Sequence, residues 1–398
     1  MQGSRRIANI TGGGSDGWEV FLRARQMIEA GTPVVELTIG EHDIRTAAPV
    51  LQAMHGAAMG GHTGYAAVPG TRALRAAVAA RVEARTGVPT RPENVLITPG
   101  GQAALFAAHI ATCDPGDRAL FIDPYYATYP GTIRGAGAVP CAVAAQPADD
   151  FQPRRDALEA VAAGAVSLLI NTPNNPTGVV YDRQTLEGIC AVARQHDLWV
   201  ISDEVYDTQI WEGSHLSIRA MDGMAERVLV VGSMSKSHAM TGSRCGWIVG
   251  PEQVIADLTN LATHTTYGVP GYIQDASSFA LGLGGAFEAE IAAPFARRRR
   301  LAKSILAAQD QVRLVPAQGA MYLMLDIRAT GLSGTDFANA LLETHHIAVM
   351  PGESFGAAAA GHIRVAMTVE DQVFGQALGQ LCAFAAQCAE VKNRPEQG

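Results

Sequence analysis

The sequence predicts an α/β protein: a large domain with a mostly parallel central sheet covered by helices, joined to a smaller α+β domain. Three observations predict it. Short, continuously apolar runs recur, among them VSLLIN (166–171), LWVISD (198–203) and RVLVVGS (227–233), and read as strands buried on both faces. Helix-length segments such as Arg183 to His196 lie between several of them, the alternation that builds parallel sheets. The chain has 398 residues, 48% hydrophobic and 17% charged, which is too long for one small core and too apolar for disorder.

Taken in order, Trp18 to Ala30 reads as an amphipathic helix that GTP (31–33) ends, and VVELTIG (34–40) as a strand. From about 50 to 85 the chain is helical in two pieces around GGHTGYAAVPGT. ENVLITPGGQ is a strand running into a glycine turn, and Gln102 to Ala111 an apolar helix. RALFID (118–123) and AVPCAV (138–143) precede the three strands above, and CGWIVGP (245–251) follows them. These elements assign 46–285 to the large domain. Charged helical sequence (286–310), VRLVP, AMYLMLDI, a helix at 335–345, IAVM and HIRVAM build the smaller domain, 286–398 together with the N-terminal segment 1–45. A Gly/Ala loop, GESFGAAAAGH, interrupts it at 352–362.

Composition excludes several classes. A net charge of −8 argues against a nucleic-acid partner, and the basic run Arg297 to Arg300 reads as a solvated helix face. No apolar run is long enough for a membrane span, and the N-terminus MQGSRRIANITGGG has no apolar core of a secretory leader. Six scattered cysteines without C-x-x-C fit free thiols in the cytoplasm, and the absence of H-E-x-x-H gives no metal site. Two glycine motifs lack their required context. Gly12 to Gly17 matches a dinucleotide fingerprint but follows no strand. Gly352-Glu-Ser354-Phe-Gly356 matches a nucleophile elbow, but no acid lies between Ser354 and His362, the last histidine.

The chemistry collects at strand ends, where open parallel sheets bind ligands. Only three of the 30 basic residues are lysines: Lys236, Lys303 and Lys392. Lys303 follows the arginine run and Lys392 sits in the polar tail, whereas Lys236 follows a strand inside VVGSMSKSHAMTG. A lysine can form a Schiff base and an arginine cannot. Other strands deliver Asn175 in NTPNNPTG, Asp203 and Tyr206 in ISDEVYD, Ser233 and Arg244 around Lys236, and Gly100, Gly101 and Gln102 opening a helix. This set suits pyridoxal 5′-phosphate, which needs a lysine for its aldehyde, a carboxylate for its ring nitrogen and a phosphate cradle. Asn175 and Tyr206 can bond its phenolic oxygen.

Six motifs, LTIGEHD, GYAAVPGTRALR, NTPNNPTG, ISDEVYD, SMSKSHAMTGSRCGW and HIRVAM, stand in the order and spacing of the class I/II aminotransferases. The chain resembles that family, enzymes of fold type I, over nearly its whole length. The resemblance implies that Lys236 is the Schiff-base lysine and proton shuttle, and that Asp203 pairs with the ring nitrogen. Asn175 and Tyr206 would bond the phenolic oxygen, and Ser233 and Arg244 the phosphate. Tyr126 in PYYATY would stack on the ring, and Tyr65 would reach the neighbouring subunit's phosphate in a homodimer. Arg364 would clamp the substrate α-carboxylate beside the backbone of Gly40, with Asn175 also lining the substrate.

Two residues depart from the family pattern: His42, usually proline, and Ser243, usually bulky. His42 and His238 read as satisfied structural histidines. SKSHAMTG, YGVPGYIQDA and DIRATGLS most resemble the arginine–pyruvate transaminases. The implied reaction is transfer of an α-amino group to a 2-oxo acid. Carbon–sulfur β-lyases share the same motifs and are the alternative. Side-chain selection is expected from Glu41, His42 and Asp43, with Thr265, Thr266 and Tyr267 of the partner subunit. None of the six is basic, which disfavours a dicarboxylic donor, and the acidic pair Glu41 and Asp43 favours a cationic one.

Overall fold

A computed structural model describes residues 1, 3–14 and 17–392; Ser15 and Asp16 of the glycine motif, and the tail from 393, lie outside the described residues. Seven strands form the main sheet in the order Val95–Thr98, Gly246–Val249, Val228–Ser233, Trp199–Asp203, Ala165–Asn171, Arg118–Asp123, Val139–Ala144. The last five pair in parallel, and Gly246–Val249 runs antiparallel to both its neighbours. The reversal follows from the chain path. Strand Val228–Ser233 returns beside itself through residues 234–245, the segment that carries Lys236 and Arg244.

The central strands are buried along their length because helices cover the sheet, which is why they read as continuous apolar runs. Val200, Val228 and Val249 belong to one buried cluster, and Ile201, Leu229 and Ile248 to another with helix Gly101–Thr112, as strand alternation requires. In-register pairing sets Asn171 beside Asp203 and Ser233 beside Gly246, so polar residues gather at one edge.

A second, antiparallel sheet joins Met350–Pro351, His362–Ala366, Tyr322–Asp326 and Arg313–Leu314. A short parallel pair, Val35–Glu36 with Ile347–Ala348, ties the N-terminal segment to it. VVELTIG is therefore strand only at its start. The Leu37 N–H still bonds the Ala348 carbonyl (2.8 Å) and its carbonyl the Ala366 N–H (2.9 Å), but the next carbonyls are diverted to side chains. Thr38 O accepts from Arg364, and Gly40 O from Lys236.

The expectation of a solvated arginine run holds for Arg297 and Arg300, which are exposed, and is corrected for the two residues between them. Helix Gly284–Leu306 buries Arg298 and Arg299 (3% and 5% exposed), because its inner face meets carboxylates and carbonyls. Arg298 pairs with Asp43 and Asp371, while Arg299 donates to the Ala317 carbonyl and pairs with Glu212. Residues Gly352–Phe355 form a 3₁₀ turn, not the strand–turn–helix of a nucleophile elbow. The six cysteines are free thiols. Among the described residues no helix is long and apolar enough to cross a membrane, and no cluster of His, Cys, Asp or Glu could hold a metal ion.

Candidate active site

A cavity of about 290 Å³ opens at the carboxyl ends of the parallel strands. Its wall includes Gly40, Gly101, Gln102, Tyr126, Asn175, Asp203, Tyr206, Ser233, Lys236, Arg244 and Arg364, residues spread across the sequence that the sheet edge brings together.

Asp203 ends its strand and is 5% exposed. Burial pushes its carboxyl up to about 6, although the Tyr129 hydroxyl donates to Oδ2 (2.7 Å) and the Val205 N–H to Oδ1 (3.3 Å). Asn171, its register partner, donates Nδ2 to the Asp203 carbonyl (2.9 Å) and accepts from the Asn175 N–H (2.7 Å). The turn after Asn171 is closed by Asn174, whose Oδ1 accepts from the N–H and hydroxyl of Thr177. Asn175 Oδ1 is thereby set to accept from Arg364 Nη1 (2.9 Å).

Arg364 is 1% exposed. Its guanidinium lies 4.3 Å from the Tyr322 ring centre and 4.4 Å from that of Phe355, so two aromatic faces fix its plane. Nη1 and Nη2 are bonded to Asn175 and the Thr38 carbonyl, and Nε has no partner among the described residues. Burial lowers its affinity for a proton, but a guanidinium stays charged. A buried cation with spare donors suits a planar anion.

Lys236 lies on a one-turn helix, Met234–Ser237, started by Ser233, whose Oγ accepts from the Ser235 N–H (3.1 Å). Its ammonium donates to Gly40 O, and burial lowers its pKa. Gly40 must be glycine: a Cβ there would stand 1.9 Å from Tyr322 Oη. The Tyr206 hydroxyl meets that of Tyr322 at 3.1 Å, and burial raises the Tyr206 pKa well above the ordinary phenol value. Tyr126 lines the wall edge-on to Tyr129, and burial raises it to about 12.

The far end is built from glycines. Gly100 has φ +82°, and a Cβ on it would meet Arg244 Nη2 at 2.4 Å, so the guanidinium occupies the space that glycine leaves. Arg244 itself is left-handed (φ 48°) and donates Nη1 to the Thr241 carbonyl (2.8 Å). Gly101 begins helix Gly101–Thr112 at this point. A helix N-terminus, a guanidinium and Ser233 together offer an anion cradle, and Lys236 and Asp203 line the same cavity, so the set of donors fits pyridoxal phosphate.

Not every expected residue joins the cavity. Gln102 reaches its rim, but its side chain is committed to Thr132 (2.8 Å) and Thr128 (3.1 Å). Tyr65 is 92% exposed, stands edge-on to Tyr267 and is outside the cavity of its own chain, as are Thr265, Thr266 and Tyr267. The acidic pair is split. Glu41 lines the cavity and accepts from Thr241 Oγ1 (3.1 Å), whereas Asp43 turns away to Arg298 (2.5 Å). His42 packs edge-on to Phe295 beside the backbone of Lys236, and burial lowers it to about 4. His238 shares a bond with Ser237 Oγ through Nδ1 (2.7 Å) and lies against the Ala280 backbone, as expected of a structural histidine. Ser243 ends the short turn before Arg244 and does not line the cavity.

Sequence reasoning missed Trp18, Tyr129, Thr241 and Tyr322, all of which line the cavity. Tyr322 left a trace as the one phenol in the aliphatic run AMYLMLDI, and Tyr129 as the third tyrosine of PYYATY. Trp18, at the start of a surface helix, left none.

The family profile described as "Aminotransferase class I and II" matches residues 32–381. The chain belongs to this family. It is 37% identical over 388 residues to the arginine–pyruvate transaminase AruH of Pseudomonas aeruginosa, covering 97% of this chain and 99% of that protein. It is 31% identical to an aspartate aminotransferase of Thermotoga maritima, over 96% and 98% of the two chains. Among solved structures, the aspartate aminotransferase of Thermus thermophilus with maleate superposes with a TM-score of 0.89 at 32% identity, covering 96% of this chain and all of that one. The protein is thus a pyridoxal-phosphate-dependent aminotransferase on the fold-type I scaffold.

Proposed function

We propose that this aminotransferase works by a ping-pong cycle in which a neutral or basic amino acid is the donor and pyruvate an acceptor, and that Lys236, Asp203 and Arg364 carry it. The observation that supports this is their convergence on one cavity: an amine, a buried carboxylate and a guanidinium with spare donors. When bound, pyridoxal phosphate supplies an electron sink for the α-carbon of the amino acid. Lys236 Nζ would hold its aldehyde and, once displaced by the donor's amine, would take the α-proton and return it to the cofactor carbon. Burial favours the neutral amine that this step needs. Asp203 would keep the ring nitrogen protonated, Asn175 and Tyr206 would hold the phenolic oxygen, and Tyr126 would cover one ring face. Gly100, Gly101, Ser233 and Arg244 would hold the phosphate, with Gln102 closing the rim. Arg364, Gly40 and Asn175 would orient the α-carboxylate.

The donor preference rests on a count of charges. Among the described residues the cations in the cavity wall are Lys236, Arg244 and Arg364, each with a role above, which leaves none of these for a distal carboxylate. Besides Asp203, Glu41 is the carboxylate of the wall, and Asp43, paired with Arg298, does not add to it. The Pseudomonas relative, an arginine–pyruvate transaminase, agrees with a basic donor and pyruvate. Exposed Tyr65 supports a homodimer in which it reaches the other subunit's phosphate.

A panel of amino acids with pyruvate and 2-oxoglutarate, scored for oxo acid formed, tests the donor. Aspartate as the best donor by about tenfold in kcat/KM, or roughly 1.4 kcal/mol, overturns this reading of the pocket. Ammonia released from an amino acid alone would point to a β-lyase. Lys236→Ala should lose both turnover and borohydride-reducible cofactor; reducible cofactor retained in that variant would refute the assignment.

A further inference from the structure

A second polar cavity, about 240 Å³, lies behind the strand end that carries Asp203. Consecutive residues of an extended chain point to opposite sides, so Asp203 faces the first cavity and Glu204 the second. Glu204 is 6% exposed. It accepts from Ser202 Oγ (2.8 Å) and Ser217 Oγ (2.8 Å) and meets His215 Nε2 at 3.1 Å. A carboxylate buried with three polar partners is held for its charge, since an apolar residue would cost less to bury.

The surrounding charges nearly cancel without it. Arg81 and Arg85, from helix Arg72–Thr86, pair with Asp207 of the same turn (2.7 and 2.6 Å) and with Glu288 of helix Gly284–Leu306 (3.0 and 2.6 Å). Arg219 points its Nη1 to the Ala225 carbonyl (3.1 Å), and its charge is met first by Glu226 and less by Glu204. His238 is lowered by burial to about 4 and is neutral at ordinary pH. His215 is therefore the close partner of Glu204 whose charge can change. Burial disfavours its protonation, but the hydrogen bond and charge of Glu204, and the charge of Asp207, outweigh burial and the opposing Arg85.

We propose that Glu204 and His215 are a positioning pair that sets how firmly Asp203 and the cofactor's ring nitrogen hold their shared proton, an inference that rests on the assignment of Asp203 to that nitrogen. A negative charge one residue away favours a proton on Asp203 or on any group bonded to it. While His215 is protonated, the pair is neutral and its field at Asp203 is weak. When rising pH deprotonates His215, the full charge of Glu204 acts at Asp203. The pair thus opposes deprotonation of the ring on the alkaline side.

The test is ¹⁵N NMR of the holoenzyme reconstituted with ring-¹⁵N cofactor, across a pH series, since the shift reports where the proton sits. Glu204→Gln should move the signal toward the unprotonated position by on the order of one pH unit, the size of a single nearby charge's effect at an effective dielectric near 20. Glu204→Asp should restore it. His215→Gln should abolish the small step in shift that accompanies imidazole titration. A wild-type signal in Glu204→Gln at every pH overturns the proposal. Should that variant not fold, a titration step that persists in His215→Gln overturns it instead. If Asp203→Asn itself leaves the signal unmoved, the assignment of Asp203 has failed; if only the Glu204 variant does, this inference alone has.

Discussion

Arg364→Lys keeps a positive charge in the cavity but removes the planar fork. In the structure the guanidinium plane is fixed by the rings of Tyr322 and Phe355 at 4.3 and 4.4 Å and by bonds to Asn175 and Thr38. A lysine ammonium is shorter and binds a carboxylate as a point charge. Losing one of the two charge-assisted bonds proposed between Arg364 and the α-carboxylate would cost about 1.5–3 kcal/mol. Losing the ring contacts that aim the cation adds roughly 1 kcal/mol. The sum, about 2.5–4 kcal/mol, predicts a fall in kcat/KM of roughly 70- to 900-fold. Because amino donor and oxo acid acceptor share the α-carboxylate, both half-reactions should lose alike, as measured by stopped-flow spectra of each half. Amines that lack a carboxylate serve as the control and should react no more slowly than with the wild type. A loss below about threefold, or an equal loss with the carboxylate-free amine, would refute the role given to Arg364.

Two further outcomes follow from the geometry. Gly100→Ala places a methyl where Arg244 Nη2 lies 2.4 Å away, on a backbone with φ +82°. Strain plus displacement of the guanidinium proposed for the phosphate should weaken cofactor binding by at least about tenfold in apoenzyme titrations, and unchanged affinity would mean that Arg244 does not serve the phosphate. Asp207 is held down at about 2, against burial, by Arg81 and Arg85. A depressed carboxyl stabilises the fold above its unfolded value and loses that contribution as pH falls toward its folded one. Asp207→Asn should therefore cost about 2 kcal/mol at neutral pH by denaturant unfolding, and the gap to wild type should narrow between about pH 4 and 2; a gap independent of pH would exclude the ion pairs as its cause.

Much of the site was legible because its parts are short, local motifs at strand ends. Lys236 stood out in a chain that otherwise uses arginine, and ISDEVYD and NTPNNPTG each carry their own turn chemistry. Apolar strands and their polar terminal residues follow from periodicity, so the gathering of Asn175, Asp203, Ser233 and Lys236 at one sheet edge could be expected. The same logic failed for Arg298 and Arg299. A charge run on a helix says nothing of what packs against it, and here Asp43, Asp371, Glu212 and the Ala317 carbonyl do.

By itself the sequence determined the α/β architecture, the family and the chemical groups on offer, because each depends on residue type and on spacing within a few turns or one strand. Only the tertiary structure decided which of those groups meet. Glu41 faces the cavity and Asp43, two residues on, does not, since Arg298, 255 positions away, offers it a closer partner. Tyr129 and Tyr322 entered the site because the packing of a helix and a second sheet carried their hydroxyls to Asp203 and Tyr206. Such pairings are settled by long-range contacts and by the need to satisfy buried charge, and neither is written in any one stretch of the chain.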